Sequence, residues 1–286
     1  MLTRRRMAIT QQQENALVDL VRQVAQNEIT PRFRRLPEQA VRVKSSVHDL
    51  VTEADLAAEA AITAGVNRIL PAARVVGEEA VAADPKILEH LVGAEYAVLI
   101  DPVDGTWNYA NGLATHGVLL AVMHQEQTIL GLLYDPVMDD WILARRGGGS
   151  WFCTPDTRPV AMTVSETKPL TQLTGFMTPF SFPAHCRQEA ANAMLSFGRA
   201  HTLRCACHEY RMLVQGNVDF YINASAKPWD HAAGVLALEE AGGKAGFLDG
   251  RPYSPLVSDG FLVAANSDAT LDAIRHQFGG CLYEAT

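Results

Sequence analysis

Six consecutive residues, Asp101-Pro102-Val103-Asp104-Gly105-Thr106, put two carboxylates, a glycine and a hydroxyl into one tight loop. The loop follows directly on the apolar run Tyr96-Ala97-Val98-Leu99-Ile100, which has the character of a buried strand. Carboxylates crowded at the end of a buried strand repel one another and lose hydration, so they require cations. Hard oxygen ligands suit Mg²⁺, which keeps several waters and takes the rest of its shell from substrate phosphate. The loop therefore reads as one wall of a metal-assisted phosphoryl site.

Three other places carry suitable acids: Asp55, the pair Glu78-Glu79, and Asp230. Each has a plainer reading when taken alone. Thr52-x-x-Asp55 resembles a capping box with Asp in place of Glu. Glu78-Glu79 fits a solvated turn, and Asp104-Gly105 a simple turn dipeptide. Asp230 follows Pro228-Trp229 and opens an apolar helix, where an N-cap would serve. Taken together the acids say more, because most of them flank strand ends or helix starts, where the loops of an α/β protein build sites.

The elements that must position these acids follow from periodicity and punctuation. Leu17, Leu20, Val21 and Val24 repeat at helical spacing and predict a helix over residues 11–29. A second helix runs from Thr52 to about Leu70, with Leu56, Ala60, Val66 and Leu70 inward, and Pro71 ends it. Arg74-Val75-Val76 is a short strand. Residues 118–124, 128–134 and 141–145 read as neighbouring strands, giving helices packed on a mainly antiparallel sheet. Beyond Val160, helices are expected over 185–197, 206–215, 230–241 and 268–278, with strands over 219–222 and 261–264. That alternation predicts a layered α/β lobe. The expected division is an amino-terminal lobe over residues 1–155 carrying the metal-binding loop, and a carboxy-terminal α/β lobe over 156–286 completing the site.

Composition narrows the class. The chain has 286 residues, 48% of them hydrophobic and 20% charged, which suffices for a large core. A net charge of −8 argues against nucleic acid as a bulk partner. No apolar run reaches the ~20 residues of a membrane span. The basic start Met1-Leu2-Thr3-Arg4-Arg5-Arg6-Met7 is followed by no apolar signal core and reads as a solvated tail. Five cysteines without a paired framework fit a reducing cytoplasm.

Longer motifs surround the acids. Lys44-Ser45-Ser46 precedes Asp49-Leu50-Val51-Thr52-x-x-Asp55; Gly77-Glu78-Glu79 closes a strand; Asn108 and Gly112 continue the Asp101–Thr106 run; and Trp229-Asp230-x-Ala232-Ala233-Gly234 leads to Glu240-Ala241-Gly242-Gly243. In this order the set closely resembles the inositol monophosphatase family of Mg²⁺-dependent, lithium-sensitive phosphatases, from about Gln11 to Ile274. The resemblance implies an α/β (α+β) fold, the layered αβαβα sandwich of the inositol monophosphatase/fructose bisphosphatase type. It implies two or three Mg²⁺ per site, with Mn²⁺ as a substitute, and a homodimer. Glu78, Asp101 and the Val103 carbonyl would hold the first metal. Asp101, Asp104 and Asp230 would hold the second, and Glu78 would also touch a third. Thr106, oriented by Asp55, would help Glu78 take a proton from the attacking water. The Gly105 and Thr106 amides would receive the phosphate, with Glu79 and Lys44 supporting the ligands from behind.

The substrate implied is a small phosphorylated metabolite: inositol monophosphate first, then histidinol phosphate, fructose bisphosphate or a 3′-phosphonucleotide. A regulatory binding module that kept the site is the non-enzymatic alternative. Several residues depart from the pattern. Trp107 replaces a small or polar residue and either walls the pocket or packs. Asn223 stands where inositol-specific members place a glutamate, which weakens the case for myo-inositol phosphate. Arg204-Cys205-Ala206-Cys207-His208-Glu209 replaces a Gly-Ser-Ala run. There Arg204 suits either a second anionic group of the substrate or a surface role, and Glu209 a cationic group. Cys205-x-Cys207-His208 lacks a partner set at zinc spacing, so a packed helix start is expected. Lys227 suits either a cation near the phosphate or a solvated lysine, and His231 either substrate contact or packing.

Overall fold

Two helices lead the chain in the computed structural model, which describes residues 9–46 and 48–278; the basic Met1–Met7 stretch and Cys281 lie outside these. Helix α1 (Gln11–Val24) opens on a Thr10–Gln13 capping box, buries Leu17, Leu20, Val21 and Val24, and runs on as a π-helical turn to Ile29. A hairpin of β1 (Val41–Ser46) and β2 (Asp49–Thr52) follows. It has no counterpart among the expected elements, because its strands are short and mostly polar. Helix α2 (Glu53–Ile69) turns a different face inward from the one expected: Ala54, Ala58, Ile62 and Val66 are buried, whereas Leu56 and Ala60 are exposed. The small Ala54, Ala58 and Gly65 let α2 lie close to its neighbours, and Gly65 has the Leu20 side chain pressed against its α-carbon. Close packing of small residues thus outweighs the larger Leu56 in setting the helix phase.

A seven-stranded sheet comes next, in the order β3 (Ala73–Gly77), β4 (Tyr96–Asp104), β5 (Gly117–His124), β6 (Gln127–Asp135), β7 (Asp140–Arg145), β8 (Gly149–Cys153) and β9 (Val160–Ala161). Only β3 and β4 run parallel; every other pair is antiparallel. Its central strands are apolar on both faces, as a sheet covered on both sides must be. Val98, Ile100, Val118, Leu120, Val122 and Leu132 pack under α1 and α2. Their neighbours at period two, Leu99, Leu119, Ala121, Leu133 and Ile142, face the other way.

That second face meets α6 (Ala206–Val214) and α7 (Pro228–Glu240), reached after the short α3 (Glu78–Ala83), α4 (Thr106–Ala110) and α5 (Arg187–Met194). Arg211 pins α6 to the sheet by donating to the Leu133 carbonyl at 2.9 Å and pairing with Asp140. On the far side, α6 and α7 face a five-stranded sheet ordered β11 (Arg199–His201), β10 (Thr174–Phe176), β12 (Phe220–Asn223), β14 (Leu262–Ala265) and β13 (Lys244–Phe247). Its outer face, through Phe220, Ile222, Val263 and Ala265, is covered by α5 and by α8 (Asp268–Gln277). Helices, sheet, helices, sheet and helices therefore alternate in the expected αβαβα order. The predicted helices beyond residue 200 match to within two residues. Strands β10, β11 and β13 have no counterpart among the expected elements: each is short and mixes glycine or charged residues with few apolar ones, unlike the equally short β12 and β14.

Candidate metal and phosphate site

The parallel pairing of β3 with β4 sets the site. Gly77 lies opposite Ile100, so the next residues, Glu78 and Asp101, emerge side by side at the carboxyl ends of two adjacent strands. An irregularity in the β4–β5 register between Asp101 and Asp104 then turns the acidic loop out of the sheet. Asp230, in the first turn of α7, completes the group. Oxygens of Glu78, Asp101 and Asp230 lie within 4.8 Å of one another. The N-cap of α7 is Lys227, not Asp230, so a capping role does not account for the aspartate.

The electrostatics of this cluster are those of acids awaiting cations. Loss of hydration, compounded by Glu78, Asp104 and Asp230, holds the Asp101 carboxyl well above the usual range. Asp230 is pushed up to about 8 by burial, with Lys227 acting against the rise and Glu78 and Asp104 adding to it. Two lysines face the group. Lys44 Nζ lies 3.1 Å from Glu78 and 2.6 Å from Glu79, and Lys227 Nζ lies 3.8 Å from Glu78. Burial works to lower the Lys44 pKa, but Glu78 and Glu79 overcome it and raise it. Glu79, largely buried, is pushed up to about 7. An all-oxygen donor set of crowded carboxyl groups fits a hard divalent cation such as Mg²⁺.

Asp104 is built in from another side. Its Oδ2 accepts from the Cys207 amide at 2.5 Å and from the Cys205 thiol at 3.1 Å, so it sits at the start of α6, while remaining close enough to Asp101 and Asp230 to raise both. Asp55 makes two sets of contacts. Its Oδ2 accepts from the Thr52 amide at 2.8 Å and hydroxyl at 2.5 Å, closing the capping box, and its Oδ1 is 3.1 Å from the Thr106 hydroxyl. Burial pushes Asp55 up to about 6. The Thr106 hydroxyl also lies 3.0 Å from the Val103 carbonyl. With its proton committed to one of these acceptors, its lone pairs are left for a donor on the open side. Gly105 takes φ +81°, and a Cβ there would meet the carbonyl oxygens of Thr115 at 3.1 Å and Arg204 at 3.3 Å.

The substrate side is a cavity of about 210 Å³ shared by Asp104, Asp230, Arg204, Glu209 and Asn223. Asn223 spends its amide locally, donating to the Tyr221 hydroxyl at 2.7 Å and accepting from the Ser225 amide at 3.0 Å. Glu209 is buried and accepts from the Leu203 amide at 2.7 Å and the Thr202 hydroxyl at 2.9 Å, so its carboxylate holds a loop. Arg204 stacks its guanidinium 4.0 Å from the centre of the Trp107 ring. The zinc reading of the Cys-x-Cys-His run fails on geometry. Cys205 turns to Asp104, Cys207 to the Tyr134 carbonyl and His208 to the His116 carbonyl. His231 packs: its Nε2 donates to the Ser225 carbonyl at 2.9 Å and its Nδ1 accepts from the Tyr210 hydroxyl.

Sequence reasoning missed Glu59. From α2 it accepts the Glu79 and Ala80 amides, both at 2.8 Å, and so caps the start of α3 and fixes Glu78. Its carboxyl group presses on Gly77, where a Cβ would come within 2.6 Å of it. The Glu at the end of the Gly-Glu-Glu motif gave no hint of a cap from twenty residues upstream. Asn108 was named only as a continuation of the motif. Its amide donates to the carbonyls of Thr115 and Leu203, both at 2.8 Å, and ties α4 to the Arg204 loop.

Known proteins of similar sequence and shape agree with one another. An inositol-1-monophosphatase of Mesorhizobium japonicum is 28% identical over 76% of this chain and 79% of its own length. A protein named Nus factor SuhB from Pasteurella multocida is 28% identical over 84% of this chain and 86% of its own. A fructose-1,6-bisphosphatase/inositol-1-monophosphatase of Thermotoga maritima is 28% identical over 71% and 73%. The solved structure of an inositol monophosphatase from Thermotoga maritima shares the fold, with a TM-score of 0.78 at 23% identity over 96% of this chain and 99% of that one. The model of the inositol monophosphatase family matches residues 10–279, and the chain belongs to that family.

Proposed function

We propose that this protein is a Mg²⁺-dependent phosphomonoesterase of small phosphorylated metabolites. The observation that carries the reading is the convergence of Glu78, Asp101 and Asp230, from three separate elements, beside the Asp55–Thr106 pair. Glu78, Asp101 and the Val103 carbonyl would hold one cation, and Asp101, Asp104 and Asp230 a second. Bound there, the cations would neutralise the phosphate, favour deprotonation of the attacking water and stabilise the leaving alkoxide. Thr106 would orient that water through its free lone pairs, with its own proton held by Asp55 or Val103, and Glu78 would take the proton released. The amides at the start of α4, which lack helical acceptors, would seat the phosphate oxygens.

Inositol monophosphate, fructose bisphosphate, histidinol phosphate and a 3′-phosphonucleotide are the candidate esters, and the names of the relatives support the first two. The SuhB relatives favour a second reading, a binding module that works through protein contacts. Phosphate release with Mg²⁺ across these esters separates the two. Turnover that requires Mg²⁺ and falls in millimolar Li⁺ supports the phosphatase; no release from any ester leaves the module.

A further inference from the structure

The geometry points to Arg204 as the recognition group for a second oxyanion, a phosphate or carboxylate, carried by the substrate beside the ester that is cleaved. The inference rests on the phosphatase reading and names its substrate class.

Three observations converge on it. First, Arg204 is the only cationic residue among those lining the cavity that also holds Asp104 and Asp230. Placed over the Trp107 ring, its guanidinium has neither an ion-pair partner nor a hydrogen-bond acceptor among the described residues, so its N–H donors are available. Second, the residue takes a backbone conformation uncommon outside glycine, in a loop held from several sides. Its φ is +56°, in the left-handed region. The loop around it is clamped: Asn108 donates to the Leu203 carbonyl, Glu209 accepts the Leu203 amide, and the Thr202 hydroxyl accepts the Arg204 amide at 3.0 Å. A strained residue persists where its surroundings over-determine it, and such places concentrate at ligand clamps. Third, Glu209 and Asn223, the polar residues of the cavity that lie outside the metal cluster and were candidates for substrate contact, are already engaged. Glu209 holds the loop and Asn223 is bonded to Tyr221 and Ser225, so neither presents a free carboxylate to ring hydroxyls or to an amine. A neutral polyol ring finds little here, and an ammonium group meets a like charge.

The test uses Mg²⁺-loaded protein and matched esters: 2-phosphoglycerate against glycerol 2-phosphate, and fructose 1,6-bisphosphate against fructose 1-phosphate. Wild type should show the higher kcat/KM for the doubly charged member of at least one pair, and the pair that responds tells carboxylate from phosphate. Arg204→Met should lower that ratio about tenfold to a hundredfold, the worth of one charge-assisted hydrogen-bonded contact; Arg204→Lys should keep part of it. Arg204→Gly reaches φ +56° without strain and removes the charge, so an equal loss in the Gly and Met variants is a loss of the guanidinium and not of the loop. Equal handling of both pairs by wild type, or a ratio unchanged in both variants, overturns the inference while the phosphatase reading stands. No Mg²⁺-dependent release from these esters or from myo-inositol 1-phosphate overturns both.

Discussion

Glu78, Asp101 and Asp230 emerge from two parallel strand ends and the first turn of α7, each fixed by neighbours that are themselves buried. Across the same cavity Arg204 stands exposed on a short loop, in a backbone conformation more natural to glycine, with an aromatic ring as its support. The acids hold a geometry that any phosphate monoester needs, and regular structure supplies it. The arginine, on the reading proposed above, would answer to one feature of one class of esters, and it sits on a loop outside the sheets. Chemistry and selectivity are thus assigned to parts of very different stiffness.

The sharpest way to challenge that division is Asp101→Asn. Turnover should fall about a thousandfold or more. Because the wild-type carboxyl is held far above its usual pKa by burial and like charge, the metal-free variant should melt at or above wild type at pH 8, as followed by thermal denaturation. A variant that loses activity by unfolding would show that the acids also hold the fold together. Next is Thr106→Val, which leaves the Thr52–Asp55 box in place and removes the hydroxyl. It should lower kcat about a hundredfold with a smaller change in KM; an equal change in both would make Thr106 a binding residue.

A smaller effect is expected from pH. Asp230 titrates near 8 in the metal-free protein against 3.8 ordinarily, so the native state binds a proton there that the unfolded chain does not. Its contribution to stability is therefore complete below about pH 4 and is lost as pH rises towards 8. Mg²⁺ must displace that proton. Its half-saturating concentration should rise about tenfold per unit as pH falls below 8, and the gain in melting temperature on adding Mg²⁺ should be larger at pH 8 than at pH 5. A flat Mg²⁺ titration over that range would place the metal elsewhere. The smallest effect is expected in stability: Glu59→Ala strips two amides at the start of α3 of their acceptor and should cost about 2 kcal/mol, read from urea unfolding.

Much of the scaffold was readable in the order of residues. The unbroken apolar runs of β4, β5, β6 and α7, and the helical spacing of apolar residues in α1 and α6, marked these elements. The phase of α2 was misjudged because small residues carried its inner face, and size alone suggested Leu56. Polar or very short strands, such as those of β1 and β10, carry no period to read. Within the site, Asp101 and Asp104 announced themselves through their place at a strand end. Glu59 did not, since an acid on a helix looks solvated until the fold sets it against the Glu79 and Ala80 amides, and Lys227 read equally as a solvated lysine until α7 brought it to Glu78. Nor does a sequence show that Arg204 takes a left-handed backbone; only the clamps from Asn108 and Glu209 reveal it.

The bond from the Cys207 amide to Asp104 has a consequence for communication across the cavity. Two residues, Cys205 and Ala206, separate Arg204 from Cys207, and the Cys205 thiol reaches the same carboxylate oxygen. A ligand that tugs on the guanidinium therefore tugs on a tether ending at Asp104. Linkage requires the pull to be mutual: if a second anion held at the rim tightens the grip on divalent cations, loading those cations should raise the affinity for that anion by the same factor.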